Sequence, residues 1–174
     1  MGKQVLETFP TAEAGDWFLL HTKSRQEKKL AEDLARIEVA HFLPLVEEIR
    51  FYGKRKFTVE EPLFPGYVFV RGTREQAFLA DRTKRVARIL DVKDQDKIEW
   101  ELRNLATALS QSVPLQPYPY LQKGVKVEIK SGPMRGLQGL IDDRKGPHRL
   151  ILAVEMLGRA VSLEVHGAML QVVD

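Results

Sequence analysis

Three prolines interrupt the chain at residues 114, 117 and 119, within the stretch SQSVPLQPYPYLQ. Proline cannot lie in a helix interior and favours extended, polyproline-like backbone. The stretch is therefore predicted to be a semi-rigid linker about a dozen residues long. We assign residues 16–110 to a first domain, 111–122 to the linker and 123–174 to a second, smaller domain.

The composition indicates a globular protein that lies outside membranes. A chain of 174 residues can bury one ordinary core or two small ones. No apolar run approaches the roughly 20 residues that span a bilayer. The polar N-terminus lacks a signal-peptide core. The chain has no cysteine, which excludes disulfides, thiolate zinc sites and cysteine nucleophiles and predicts a cytoplasmic protein.

The net charge of +3 is mild, but the basic residues are clustered. Residues 50–56 contain Arg50, Lys54, Arg55 and Lys56 without an acid, and residues 82–88 contain four more basic side chains without an acid. Two interpretations are open: solvated loop faces, or local patches that contact phosphate.

Helices and strands alternate before the linker. The run WFLLH at 17–21 predicts a buried strand, and Ser24 with Glu27 predicts a capping box for a helix with one apolar face. A hairpin with a basic tip follows at 49–59, then a strand at 66–71. Thr73 with Gln76 predicts a second capping box, a short strand spans 86–90, and a long helix starts at Asp96. The predicted fold class is α+β, as a small sandwich of helices on a partly antiparallel sheet.

The segment PLFPGYVFV, residues 62–70, concentrates aromatic side chains around a Pro65-Gly66 turn. Phe64, Tyr67 and Phe69 carry more apolar area than a short turn and strand need for their own folding. Either they fill the core, or one face of the strand is a docking surface.

Short β segments separated by glycine and proline turns follow the linker. Five strands in about 50 residues predict a closed or half-closed β-barrel, because so small a sheet cannot leave its edges open. The β-branched Val161, Val165, Val172 and Val173 favour strands over a helical hairpin.

Motifs for catalysis are absent from the sequence. It contains no nucleophile elbow, no His-Glu-x-x-His and no Walker loop. Its four histidines, His21, His41, His148 and His166, are scattered without metal-ligand spacing. We expect no enzyme activity, no metal and no cofactor.

Two motifs together resemble one protein family. The stretch KGVKVEIKSGPMRGLQGLI at 123–141, with its glycines and Pro133 in register, resembles the KOW motif of NusG-type factors and some ribosomal proteins. The first strand, capped helix, basic hairpin and Phe-Pro-Gly-Tyr turn look like the NGN domain of the NusG family. The resemblance implies an NGN-type α/β sandwich joined to a small SH3-like KOW barrel.

The resemblance also implies a function in transcription elongation and antitermination. In this family the first domain docks on the clamp helices of RNA polymerase and keeps the clamp closed. Carried onto this chain, the polymerase-binding residues would be Phe18, His21, Phe64, Tyr67, Phe69, Ile89, Leu90 and Val92. Tyr67 favours the interface, whereas for Phe69 core and interface stay open.

Further partners follow from the same resemblance. Contact with non-template DNA would involve Lys23, Arg25, Lys28, Lys29, Lys54, Arg55, Lys84 and Arg85. The KOW domain would recruit Rho or a small-subunit ribosomal protein through Met134, Leu157 and Arg159. The spacing within 53–70 is similar to specialised, RfaH-like paralogues, and we expect a monomer. The rival interpretation is a KOW-type RNA-binding or ribosome-associated protein.

Overall fold

A computed structural model describes residues 2–121, 123–142 and 149–174, with side chains from residue 5 onward. The chain divides into two compact units. The first, here called the sheet unit, spans Phe9–Gln95. The second, the C-terminal unit, consists of Met1–Thr8 and Asp96–Asp174, and it includes the short helix α1 (Gly2–Glu7).

Two separate sheets make up the β structure of the sheet unit. In chain order its elements are β1 (Asp16–Thr22), α2 (Glu27–Arg36), β2 (His41–Phe42), β3 (Leu45–Tyr52), β4 (Arg55–Pro62), β5 (Tyr67–Gly72), α3 (Arg74–Leu79) and β6 (Val86–Asp91). The order β2-β5-β1-β6 forms a four-stranded sheet, antiparallel throughout. Strands β3 and β4 pair with each other as a two-stranded hairpin.

The core of the sheet unit lies between the four-stranded sheet and its helices. Alternate residues of β1 and β5 pack against Leu30 and Leu34 of α2 and Ala77 of α3, as period-2 strands and an amphipathic helix require. The amphipathic helix predicted after residue 24 is therefore confirmed. Ile37, which follows the last residue of α2, is exposed.

The two predicted capping boxes have different outcomes. Thr73 caps α3 as predicted: its hydroxyl accepts from the Gln76 amide and the Gln76 side chain accepts from the Thr73 amide. The Ser24–Glu27 box is wrong, because α2 begins only at Glu27 and its N-cap is Gln26. The Glu27 carboxylate instead accepts from the Gly66 amide at 2.7 Å.

The C-terminal unit combines one long helix with a six-stranded sheet. Its elements are α4 (Gln95–Ser110), whose first residue lies at the unit boundary, and β7 (Gln116–Tyr118), β8 (Val125–Ile129), β9 (Gln138–Ile141), β10 (Arg149–Val154), β11 (Arg159–Glu164) and β12 (Leu170–Val172). The strand order is β12-β8-β9-β10-β11-β7, with every pair antiparallel. All five strands predicted after the linker are confirmed.

Glycine is required where β9 pairs with β10. A Cβ built on Gly139 would lie 2.6 Å from the carbonyl oxygen of Ile151, closer than real Cβ atoms approach. The two strands can therefore approach only if residue 139 has no side chain.

The units differ from the predicted domains in two respects. Helix α4 belongs to the C-terminal unit, so the division falls between Gln95 and Asp96. The segment predicted as a linker contains β7, which pairs with β11 through Ala160–Tyr118 and two further residue pairs. Proline is compatible with such a strand at the edge of a sheet. Residue 122 of the predicted linker and residues 143–148 of the predicted second domain lie outside the described residues.

None of the described helices is long and apolar enough to cross a membrane.

Candidate functional site

The residues predicted to dock on polymerase lie on both faces of the four-stranded sheet. Phe18 belongs to the core cluster on the helix-covered face, and Ile89 packs against that cluster. His21 and Tyr67 are directly opposite each other on neighbouring strands, as are Leu19 and Phe69. These pairs occupy the other face, because side chains alternate along a strand.

Three of the predicted aromatic residues are buried. Phe64 is 3% exposed, Phe69 is 0% exposed and Phe18 is 6% exposed. Phe69 lies in a row of rings with Phe42, which in turn contacts Phe9. These side chains stabilise the fold, since burying a large aromatic ring contributes mainly to packing. Ile89 packs against the helix-covered core. The remaining predicted residues, His21, Tyr67, Leu90 and Val92, are exposed or half-buried, and we call these four the docking surface.

A stacked pair of rings marks the centre of the docking surface. The imidazole of His21 and the ring of Tyr67 lie 5.1 Å apart at an interplanar angle of 23°. His21 is exposed and Tyr67 is half-buried. The pair presents an apolar surface with two polar groups at its margin, a combination that suits protein contacts.

The turn that carries Tyr67 is fixed from two sides. The Thr22 amide donates to the Gly66 carbonyl at 2.8 Å, and the Gly66 amide donates to buried Glu27. Gly66 has a φ of +91°, a left-handed conformation that favours glycine. The strand end of β1 and the first residue of α2 therefore hold the Phe-Pro-Gly-Tyr turn against the His21 ring.

Strand β6 completes the same face. Leu90 lies opposite Leu19 and Arg88 lies opposite His21. Leu90 and Val92 are half-buried, and Arg88 is exposed. Arg88 was not among the predicted site residues, although it precedes Leu90 by two positions and strand alternation alone places it on this face. Glu27 was also missed as a site residue, because its spacing from Ser24 matched a capping box.

The predicted nucleic-acid residues form two groups. Three exposed cations lie on two neighbouring loops: Lys23, Arg25 and Lys84. The Lys23 amide connects the two loops, because it donates to the Arg85 carbonyl at 2.8 Å. We call these three residues the basic loop cluster. Lys28 and Lys29 are exposed on the adjoining first turn of α2. Lys54 and Arg55 lie elsewhere, at the tip of the β3–β4 hairpin.

The Arg85 side chain is hydrogen-bonded to residues in and beside α2. Its Nε donates to Asp33 at 2.7 Å and its Nη1 donates to Gln26 at 2.7 Å. The Arg85 side chain is 30% exposed. These two hydrogen bonds, to Asp33 and to Gln26, position the loop that carries Lys84. Phosphate contact by Arg85 stays a prediction.

The predicted partner residues of the C-terminal unit are spread over two turns. Met134 is half-buried in the turn before β9, Leu157 is half-buried in the turn after β10, and Arg159 opens β11 in an exposed position. The Glu155 amide of the second turn donates to Glu101 of α4 at 2.8 Å. Leu157 and Arg159 thus lie beside the point where α4 is attached.

Helix α4 is bound to the C-terminal sheet by polar contacts. The Trp100 indole donates to the Gln138 side chain at 2.7 Å, and the Gln138 amide donates to Asn104 at 2.9 Å. Lys126 lies 4.9 Å over the Trp100 ring. Lys97 pairs with Glu155, and this hydrogen bond raises the pKa of Lys97. Burial raises the pKa of Tyr120.

In the parts of the chain that the structure describes, no three histidine or acidic side chains converge as a metal site would require.

Comparison with known proteins places this geometry in a family. The family model described as "Transcription termination factor nusG" matches residues 15–104, just over half of the chain. The "Transcription termination/antitermination protein NusG" of Lactococcus lactis subsp. lactis (strain IL1403) is 29% identical over 168 residues, covering 86% of this chain and 88% of that protein. Its namesake from Rickettsia conorii (strain ATCC VR-613 / Malish 7) is 23% identical over 165 residues, covering 86% of each.

A solved structure described as "Domain interaction in Thermotoga maritima NusG" covers 94% of this chain and 100% of its own, with a TM-score of 0.42 and 23% identity. Proteins of the matched family are transcription factors rather than enzymes. The family match spans the sheet and turn that build the docking surface. This chain belongs to the NusG family of transcription termination/antitermination factors.

Proposed function

We propose that this protein binds RNA polymerase through the docking surface and acts in elongation and antitermination. The observation that carries the proposal is the stacked His21–Tyr67 pair on the sheet face away from the helices. Docking would take place on the clamp helices, favour the closed clamp and control pausing. The names of the two curated relatives, both termination/antitermination proteins, support the same activity.

The local geometry suits a contact made without rearrangement. Glu27 and Thr22 hold the turn before Tyr67 in place, and the ring stacks on His21. A side chain that is ordered before binding loses less conformational entropy on binding. Tyrosine is also among the residues that contribute most to interfaces. Tyr67 is accordingly the expected centre of the interface, with Arg88 and Leu90 on β6, across β1 from it.

The basic loop cluster is the expected contact for non-template DNA. Its three cations lie on adjoining loops, and two of them, Arg25 and Lys84, have φ values of +59° and +60°. Non-glycine residues in this conformation are strained and are concentrated at functional sites. Lys28 and Lys29 extend the positive surface along the start of α2.

The second partner is expected on the C-terminal unit. We assign Rho or a small-subunit ribosomal protein to the surface of Met134, Leu157 and Arg159. The spacing around 53–70 supports a specialised, RfaH-like role acting on selected operons, and the protein is expected to work as a cytoplasmic monomer. Co-purification with tagged Rho and with tagged small ribosomal subunits, each with and without Leu157→Ala, tests this assignment.

Capture of core RNA polymerase by the immobilised full-length chain tests the docking proposal. We expect Tyr67→Ala to weaken capture by about tenfold or more, the scale of a hot-spot residue. Tyr67→Phe retains the stacked ring and should keep most of the capture. Phe78→Ala is the matched control, because Phe78 is an exposed aromatic residue on α3.

The proposal is wrong if full capture survives both Tyr67→Ala and Leu90→Ala. If the chain then binds RNA or ribosomal subunits without polymerase, the rival KOW-type function explains the protein better. Circular dichroism of each variant establishes that a loss of capture does not come from unfolding.

A further inference from the structure

The β3–β4 hairpin exposes aromatic rings that no core requires. Phe51 is 68% exposed, Tyr52 is 66% exposed and Phe57 is 43% exposed. The two strands pair over eight residue pairs, from Leu45–Pro62 to Tyr52–Arg55. Large apolar side chains grouped on the surface are costly in water and mark sites of interaction. The exposed rings therefore mark the hairpin as a site of interaction.

The rings are divided between the two faces of the hairpin. Tyr52 lies opposite Arg55, and Phe57 lies opposite Arg50, so all four share one face. Phe51 is on the other face, opposite Lys56. The rings of Tyr52 and Phe57 meet edge to face at 5.5 Å and 74°. Phe57 thus supports the Tyr52 ring, which presents a flat surface on the same face as Arg55. We call this the Tyr52 face.

Charge changes sign along the hairpin. Residues 49–58 carry Arg50, Lys54, Arg55 and Lys56 and no acid, whereas the four acids of the hairpin all lie nearer its base, at Glu47, Glu48, Glu60 and Glu61. In the described residues, no carboxylate pairs with the three cations at positions 54–56. The tip is therefore a positively charged surface, while the base of the hairpin repels anions.

The acids distinguish the two faces. On the Tyr52 face Arg50 contacts Glu48 at 3.3 Å and Glu61 at 3.0 Å, which offsets one of their two negative charges. On the other face Glu47 lies directly opposite Glu60, and neither forms an ion pair with any described residue. A polyanion is consequently accepted better on the Tyr52 face than on the Phe51 face.

We propose that the Tyr52 face binds an unpaired nucleic-acid strand, with one base stacked on Tyr52 and the adjoining phosphate held by Arg55. Aromatic rings and cations on a β surface bind single strands, because each base can stack on a ring and each phosphate can pair with a cation. A duplex presents its bases edge-on, so stacking on Tyr52 requires an unpaired base. Nothing on this face distinguishes ribose from deoxyribose, and RNA and DNA strands of one sequence should bind alike.

The stacking proposal adds a base contact to the phosphate contact predicted for Lys54 and Arg55. It shares no residue with the docking surface and does not rest on polymerase binding. Tyr52→Ala should leave polymerase capture unchanged, and Tyr67→Ala should leave strand binding unchanged. Failure of either proposal is thereby recognised separately.

Fluorescence polarisation with labelled 12-mers of oligo(U) and oligo(dT), and with a 12-base-pair duplex, provides the test on the full-length chain. We expect both single strands to bind within about threefold of each other and more tightly than the duplex. Tyr52→Ala should weaken single-strand binding about fivefold to 100-fold, the range of one lost base stack. Tyr52→Trp should restore it, since the larger ring still stacks.

Two further variants locate the contact. Arg55→Ala should lower the slope of log K against log salt by about 0.7, the value for one phosphate contact on a single strand. Phe51→Ala is the matched control, with similar exposure on the opposite face, and should change affinity less than twofold. Unchanged binding by Tyr52→Ala, tighter binding of the duplex, or an equal loss with Phe51→Ala would each overturn the proposal.

Discussion

Two neighbouring segments of this chain carry the same kind of side chains and use them in opposite ways. Residues 62–70 contain Phe64 and Phe69, which are buried, while the hairpin just before them exposes Phe51 and Tyr52. Residues 62–70 lead into the antiparallel strand β5, and the hairpin consists of the antiparallel strands β3 and β4. They differ in that β5 is an inner strand of the four-stranded sheet, whereas β3 and β4 have only each other.

The comparison shows that aromatic content does not identify a docking surface. The inner strand β5 has a neighbour on each side, and its Phe69 ring also lies beside Phe42, which in turn contacts Phe9, so Phe69 is removed from water. A two-stranded hairpin leaves both faces open, and its rings remain exposed whatever their hydrophobicity. The strands and side chains packed around a ring therefore decide whether it serves folding or is available for contacts: Tyr67, on the same strand as Phe69, stays half-buried.

The largest expected effect contrasts Phe69 with Phe51. We expect Phe69→Ala to lower the free energy of unfolding by about 3–5 kcal/mol, because it removes a fully buried ring and leaves a cavity. Phe51→Ala should change it by less than about 0.5 kcal/mol, as an exposed substitution. Urea unfolding followed by circular dichroism measures both. Similar losses for the two variants would break the comparison between the segments.

A smaller effect is expected at the carboxylate that fixes the Gly66 turn. Glu27→Ala leaves the Gly66 amide without its acceptor, which should cost about 1–3 kcal/mol of unfolding free energy. It should also weaken polymerase capture, since the turn positions Tyr67. Glu32→Ala, an exposed acid on the same helix, is the control for helix charge. A neutral result for Glu27→Ala in both assays would contradict the assigned role of the hydrogen bond.

The smallest effect compares the two turns themselves. Gly66 and Gly53 both have positive φ, at +91° and +63°, so alanine at either position should cost about 1 kcal/mol in strain. Similar losses of stability in a thermal or urea melt would show that the strain of a side chain at positive φ is the same in both turns. The difference between the segments would then come from the strands and side chains packed around their rings. A cost at Gly53 near zero would instead show that the hairpin tip relaxes.

Local patterns predicted much of the fold. The strands at 17–21, 66–71 and 86–90, the amphipathic α2, the Thr73 cap and the five C-terminal strands depend on periodicity and turn residues within a few positions. These patterns predict local structure well because they indicate which side of a helix or strand faces water. The presence of a hairpin with a basic tip was predicted for the same reason.

Contacts between distant residues account for what the sequence did not predict. Glu27 fits a local cap but binds Gly66, which lies 39 positions away. Phe18 alternates with Trp17 and Leu19 in a run without polar residues, so periodicity could not assign its face. Helix α4 precedes the prolines, yet Trp100 and Glu101 bind the C-terminal sheet, and β7 forms inside the predicted linker.

The family, the kind and order of the elements, and the glycines at the turns could be predicted from the sequence alone. Each of them depends on the spacing of residues that are close together along the chain. Only the tertiary structure decided which aromatic rings face water. It placed Phe64 and Phe69 in the core, paired His21 with Tyr67 at the surface and left the Tyr52 face open. The physical reason is that burial depends on which elements surround a side chain, and that depends on the whole fold.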